Sequence, residues 1–223
     1  MAQTEESHTQ RVTAAAAVYS KEMLERYDLI VLALACRIGL GCPRGVMLER
    51  YNRLVGADHL DIGPGTGYFL DNCRFPVREP RISLLDLNED ALDIASRRVA
   101  RYRPTVHHRD ALQPLDLGDA RFDSVALNLI LHCLPGPLTR KSIVFDHLAP
   151  YVKPGGRIFG STVLSHGVRQ TSRSRLLMDR LNNTGVFNNR EDRLQDLHYE
   201  LGRRFERYKV TVRGTVALFE AHA

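Results

Sequence analysis

Residues 59–70, His-Leu-Asp-Ile-Gly-Pro-Gly-Thr-Gly-Tyr-Phe-Leu, concentrate the groups of this chain most able to hold a reactive ligand. An apolar run ends in Asp61, turns through Gly63, Gly65 and Gly67, and becomes apolar again at Phe69 and Leu70. Glycine suits a turn where backbone approaches a ligand, because no Cβ blocks the approach or forbids positive φ. Amides at the start of the following helix attract a carboxylate or a phosphate. The stretch therefore reads as a nucleotide-type cofactor loop. A dinucleotide fingerprint would space its glycines G-x-G-x-x-G and place an acid after the second strand. Here the spacing is G-x-G-x-G, Tyr68 stands where that fingerprint has its last glycine, and an acid, Asp61, ends the first strand. Asp86, Asp110 and Asn128 end later apolar segments, and His132 follows the last of these.

Such residues need a scaffold that brings successive strand ends to one edge. From residue 58 onward, strand-like and helix-like segments alternate, the mark of a parallel sheet covered on both faces. Strands are expected at 58–62, 81–85, 105–109, 122–129 and 157–164. Asn88 is an N-cap and Glu89 and Asp90 suit the first turn of a helix that buries Leu92, Ala95 and Val99. A helix is expected over 138–152, and Lys153-Pro154-Gly155-Gly156 is expected to turn into the fifth strand. The alternation then breaks. Residues 165–190 hold a polar helix around 176–181 and an Asn/Gly-rich turn at 182–189, before an amphipathic helix with Leu194, Leu197, Leu201 and Phe205 on one stripe. Segments 208–213 and 215–221 are too close in sequence for a parallel pair and must form an antiparallel hairpin. Ahead of the sheet, 12–40 and 44–54 read as helical, the first with Leu24, Tyr27, Val31 and Leu34 on one face. The expected fold class is α/β: a Rossmann-like doubly wound sheet, mostly parallel, with a C-terminal antiparallel hairpin and an N-terminal helical cap. It forms one domain over 1–223, divided into the cap (1–55), a cofactor-binding core (56–164) and a substrate-side insert with helix and hairpin (165–223).

Composition narrows the setting. A hydrophobic content of 43% and a charged content of 26% are ordinary for a globular protein. The net charge of +5 is spread along the chain rather than gathered into a nucleic-acid patch. Residues 1–11 are polar and acidic, unlike a secretory signal. The longest apolar run, 29–36, is far shorter than the ~20 residues a membrane span needs. Cys36, Cys42, Cys73 and Cys133 show no CxxC spacing and read as reduced thiols of a cytoplasmic protein, not as a disulfide frame or zinc site.

Taken as a set, these residues resemble the class I S-adenosylmethionine-dependent methyltransferases. The resemblance runs from about His59 to the C-terminus. It rests on the Asp61–Gly67 loop, Asp86, Asp110-Ala111, Phe122-Asp123-Ser124-Val125 opening the fourth strand, and the turn at 153–156. It implies that S-adenosyl-L-methionine is the cofactor and S-adenosyl-L-homocysteine the product. Gly63, Gly65 and Gly67 would let backbone meet the methionine portion, and Asp61 would orient its ammonium directly or through water. Asp86, with Leu87 beside it, would accept from both ribose hydroxyls, because an ionised carboxylate has two adjacent acceptor oxygens. Asp110 would accept from the adenine amino group with the Ala111 amide next to it, and Asn128 and Leu129 would lie near the sulfonium. Asp86 and Asp110 could instead be turn or helix caps, the glycine loop favouring the binding role, more so for Asp86 than for Asp110. Asp123, at the far end of its strand, reads as structural.

Methyl transfer asks the protein mainly to hold a nucleophile ~3–3.5 Å from the methyl and to remove a proton where needed. His132 is a candidate general base, or else a histidine hydrogen-bonded to the following loop. Tyr27 and Tyr19 from the cap are candidate catalytic and substrate residues, although Tyr27 also suits core packing. Phe187 and Asn188 either line a substrate pocket or cap the next helix. No metal is expected, because the fourth strand ends in Asn128 rather than in clustered acids. No Asn-Pro-Pro-aromatic pattern or Pro-Cys nucleophile marks a nucleic-acid enzyme, so a small molecule is the expected acceptor. The chain is similar to small bacterial natural-product methyltransferases, including the group that methylates indoles of tryptophan-derived cyclic dipeptides. An RNA or other nucleic-acid methyltransferase, an NAD(P)-dependent oxidoreductase and a non-catalytic cofactor-binding partner are the alternatives. A monomer or homodimer without membrane attachment is expected.

Overall fold

β1 (Asp58–Ile62) is buried along its whole length, as a central strand covered on both faces must be. The computed structural model describes Cys36 and residues 39–223; Tyr19, Tyr27 and the first cap helix lie outside the described residues. Around β1 stands a seven-stranded sheet in the order β3-β2-β1-β4-β5-β7-β6. β2 (Arg81–Asp86) and β3 (Thr105–His108) extend it on one side, and β4 (Phe122–Asn128) and β5 (Val152–Val163) on the other. All these pair in parallel. β6 (Arg207–Arg213) and β7 (Val216–His222) form the expected antiparallel hairpin, and β7 also runs antiparallel to β5. The order in which strands are added thus reverses between β1 and β4, which opens a crevice at their carboxyl ends.

Period-two alternation divides the core. Leu84, Ala126, Phe159 and Leu218 pack on one side of the sheet with Met47, Tyr51, Leu70 and Leu92. Their neighbours Leu85, Leu127, Ile158 and Phe219 pack on the other with Phe145, Leu148, Leu197 and Leu201. The first face is covered by α1 (Arg44–Leu54), α2 (Tyr68–Asn72) and α3 (Glu89–Arg98). Asn88 caps α3 as expected, its Oδ1 accepting from the Ala91 N–H at 3.2 Å. Asp71 on α2 pairs with Arg98 and Arg101 at 3.0 and 2.6 Å, so part of the arginine run clamps the glycine loop to α3.

Two expected elements are corrected. The helix over 138–152 is broken into α4 (Leu138–Lys141), α5 (Ile143–Leu148) and a 3-10 turn at Ala149–Tyr151. The break at the buried Ser142 leaves Lys141 facing inward, and Pro150 sits at the start of the 3-10 turn, where its missing N–H is tolerated. The turn at 153–156 lies inside β5: Phe122 pairs with Val152 and Ser124 with Arg157, so the glycines form a bulge within the strand. The insert carries α6 (Ser172–Asn183), started by a Thr171–Ser174 capping box, and α7 (Leu194–Gly202). Among the described residues, no helix is long and apolar enough to cross a membrane.

Candidate active site

The crevice between β1 and β4 is a cleft of about 380 Å³ lined by Asp61, Gly63, Pro64, Gly65, Thr66, Tyr68, Phe69, Asn128 and Leu129. Its floor is the glycine loop, and the three glycines serve different ends. A Cβ on Gly65 would meet nothing within 4 Å, so this residue leaves the cleft open at φ +56°. A Cβ on Gly63 would lie 2.8 Å from Ile130 Cδ1, and one on Gly67 would lie 3.2 Å from Ala95 Cα. Gly63 and Gly67 are therefore needed for close packing as well as for positive φ, and Gly67 is the N-cap of α2. Leu129, in the opposite wall, holds φ +57°, a conformation that costs a side-chain-bearing residue ~1–2 kcal/mol.

Asp61 is 4% exposed, and its Oδ2 accepts from Tyr51 Oη at 2.8 Å. Burial pushes its carboxyl up to about 7, against the Tyr51 hydrogen bond and with the Asp86 charge adding to the rise. Asp86 accepts from the Asn88 N–H at 2.9 Å and is itself pushed up to about 6, chiefly by burial. Asn128 Oδ1 accepts from Ser161 Oγ at 3.1 Å, while its Nδ2 is a buried donor with no partner among the described residues. Strand order sets Asp110, Asp86, Asp61 and Asn128 along one edge, each at or just beyond the end of β3, β2, β1 and β4. Asp86, Leu87, Asp110 and Ala111 lie beyond the walls of the cleft itself. Asp110 Oδ1 accepts from the Leu112 N–H at 2.8 Å, and the Ala111 carbonyl is 3.0 Å from His147 Nδ1.

The structure treats a cationic, hydroxyl-bearing ligand well. Asp61 is buried and Asp86 half-buried, and desolvation disfavours the charge of both, so a ligand cation or hydroxyl donors would relieve them. In the cleft itself the Asp61 carboxylate, the unpartnered Asn128 amide donor and the open Gly65 offer both polarities. Among the described residues, no three His, Cys, Asp or Glu side chains gather as metal ligands.

His132 is 2% exposed, and its Nδ1 accepts from the Val163 N–H at 3.2 Å. Burial, followed by the Lys141 charge, lowers its pKa to about 3. With Nδ1 accepting, the proton of the neutral ring resides on Nε2, and neither nitrogen is a ready proton acceptor. The ring is thus hydrogen-bonded to β5 rather than to the loop that follows it, and burial opposes the proton a general base would take up. Phe187 packs edge-on to the His132 ring at 4.4 Å, and the Asn188 N–H donates to the His132 carbonyl at 2.7 Å. Asn188 Nδ2 also donates to the Cys133 carbonyl at 3.1 Å. Both residues thus fasten the insert onto the segment after β4, and both line a separate cleft with Gly136 and Pro137. Asp123 accepts from Lys153 Nζ and from the Asp58 N–H, each at 2.8 Å, at the far end of the sheet.

Three features escaped sequence reasoning. Tyr51 and His59 lie behind Asp61, and only the His59–Asp61 spacing on one strand face hinted at it. A buried Lys141–Asp192 pair at 2.7 Å ties α4 to the insert, with Lys141 also donating to the Asn188 carbonyl at 3.0 Å. The strained Leu129 carries no sequence signal.

This strand order with its cleft at the β1–β4 switch point defines a Rossmann-like cofactor fold. A protein-family model described as a methyltransferase domain matches residues 60–158. The chain is 41% identical over 212 residues to demethylluteothin O-methyltransferase of Streptomyces thioluteus, covering 95% of this chain and 92% of that one. It is 36% identical over 176 residues to N-methyltransferase vrtF of Penicillium aethiopicum, covering 78% and 73%. Its fold superposes on the solved DhpI–SAH complex with a TM-score of 0.66 at 17% identity, covering 95% of this chain and 96% of that one. The chain belongs to the class I S-adenosylmethionine-dependent methyltransferases.

Proposed function

We propose that the enzyme methylates an acidic hydroxyl of a small aromatic or heteroaromatic secondary metabolite, without a metal ion. The observation that carries this reading is the 41% identity, over 95% of the chain, to an O-methyltransferase of demethylluteothin. When bound, S-adenosylmethionine supplies an electrophilic methyl on a sulfonium whose leaving group is a neutral thioether. The Asp86 carboxylate beside Leu87 would hold the ribose hydroxyls, Asp110 and the Ala111 amide the adenine, and Asp61 the ammonium. Gly63, Gly65 and Gly67 would admit the methionine portion, and Asn128 and Leu129 would flank the sulfonium. With Nδ1 of His132 committed to Val163, an acceptor that ionises without a strong base suits the site. A phenolic or enolic hydroxyl does so, and then needs chiefly placement. Tyr19, Tyr27, Phe187 and Asn188 are the candidate substrate neighbours. Asn128 at the end of β4, in place of clustered acids, supports transfer without a metal.

The indole of a tryptophan-derived cyclic dipeptide is the competing acceptor, favoured by the 36% identity to an N-methyltransferase. Incubation of both acceptor classes with methyl-labelled cofactor, followed by mass spectrometry, decides between them. O-methylated product with stoichiometric S-adenosylhomocysteine, unaffected by EDTA, is expected. Label found only on the indole, or activity lost to EDTA and restored by a divalent cation, would overturn the proposal.

A further inference from the structure

Beneath the cleft runs a buried chain of hydrogen bonds that direct cofactor contact does not require. The Gly56 N–H donates to Ser124 Oγ at 2.7 Å, and Ser124 Oγ lies 2.7 Å from His59 Nδ1. His59 Nε2 lies 2.6 Å from Tyr51 Oη, which lies 2.8 Å from Asp61 Oδ2. Ser124, His59 and Tyr51 are all 0% exposed, so no water competes for their protons. The last link sets the direction of the others: an ionised Asp61 can only accept, so the Tyr51 hydroxyl donates to it. The Gly56 amide fills one of the two acceptor sites of Ser124 Oγ, and the hydroxyl proton is free to point at His59 Nδ1. His59 then carries its proton on Nε2 and donates to Tyr51 Oη, and Tyr51 gives its proton to Asp61. The reverse polarity would leave the Ser124 hydroxyl proton with no acceptor in the chain, a cost the buried setting makes large.

We propose that Tyr51 and His59 are positioning residues that aim Asp61 at the cofactor's ammonium and favour its ionised form against burial, so that arrival of the ligand cation completes the loss of the proton that the buried carboxyl otherwise keeps. The proposal rests on the assignment of Asp61 to that ammonium. Without help, burial would neutralise the carboxyl that the ligand cation needs. The groups facing Asp61 are Tyr51 from α1, His59 from β1, Asp86 from β2, and the Cys73 thiol after α2. Burial and Asp61 push Cys73 up to about 12, so it stays neutral. His59, lowered to about 3 by burial, is neutral as well. Asp86 adds negative charge and raises Asp61 further, which leaves the Tyr51 donor as the group opposing neutralisation.

Calorimetric titration of the full-length enzyme with S-adenosylhomocysteine across pH 6–9, in buffers of different ionisation enthalpy, tests this. With the Asp61 carboxyl at about 7, affinity is expected to fall by about tenfold from pH 8 to pH 6, with a proton released on binding at the lower pH. Tyr51→Phe is expected to move that midpoint to higher pH and weaken S-adenosylhomocysteine binding at pH 7 by about tenfold. 5′-Methylthioadenosine, which shares the adenosine but lacks the ammonium, should bind both proteins alike. His59→Leu should act in the same direction, and His59→Gln, which keeps a donor toward Tyr51, should restore the midpoint. An unmoved midpoint in Tyr51→Phe, or equal losses for the two ligands, would reduce the relay to packing. Wild-type binding without pH dependence or proton release would overturn the proposal whether or not the variants fold. Wild-type protein that binds 5′-methylthioadenosine but gains nothing from the amino-acid moiety would instead overturn the placement of Asp61 at the ammonium.

Discussion

Replacing Asp61 by Asn should make the ligand-free protein more stable while removing much of its hold on the cofactor. The carboxyl is pushed from its ordinary 3.8 up to about 7, mainly by burial. At ~1.36 kcal/mol per pH unit, keeping it ionised at pH 8 costs the fold about 4 kcal/mol. The sign follows from a folded-state pKa above the unfolded one. The penalty is absent below pH ~4, grows between pH ~4 and 7, and is complete above 7. Asn keeps an acceptor for the Tyr51 hydroxyl but adds two donors that need partners, so roughly 2–3 kcal/mol should survive. For a chain of this length that is a rise in melting temperature of about 4–12 °C at pH 8, shrinking toward pH 5. Thermal unfolding of both proteins at pH 5 and pH 8, with and without S-adenosylhomocysteine, measures all of it. A variant no more stable than wild type at pH 8, or one that keeps the full ligand-induced shift, would refute the reasoning.

Asp86→Ala should weaken S-adenosylhomocysteine and 5′-methylthioadenosine alike by an order of magnitude or more, since both would lose a charged acceptor worth ~1.5–3 kcal/mol; unchanged calorimetric affinity would return Asp86 to a cap. In Gly65→Ala the new methyl meets nothing within 4 Å, so a loss of only ~1 kcal/mol of stability from the positive φ should accompany at least tenfold weaker cofactor binding. Urea unfolding and calorimetry on one preparation separate the two effects. Lys141→Met leaves Asp192 buried without its cation and should cost ~3–5 kcal/mol, most of it recovered in the double variant with Asp192→Leu; a single variant as stable as wild type would mean that the pair is idle.

What was legible in the sequence was whatever depends on local pattern. The strand starts at 58, 81, 105 and 122 and the cap at Asn88 follow from alternation and capping, which operate over a few residues. The loop glycines were legible as a group, but their separate tasks were not, because those depend on what each would touch: Ile130, open cleft, or Ala95. The helix over 138–152 breaks at Ser142, next to a Lys141 paired with Asp192, a partner far along the chain that local periodicity does not register. His132 stood out because its ordinary pKa is near neutral, whereas the Val163 amide on Nδ1 and the burial that lowers its pKa are products of tertiary packing. The same packing makes Asp61 and Asp86 unusual: an exposed strand-end aspartate is a cap, whereas one buried beside another is charge held against its preference. The cleft thus holds one carboxyl whose charge burial opposes, with a second, half-buried, just outside its walls. On the proposed reading a cation would relieve Asp61 and paired hydroxyls Asp86, and the hydrogen-bond chain anchored at Gly56 would favour the ionised form of Asp61 against burial.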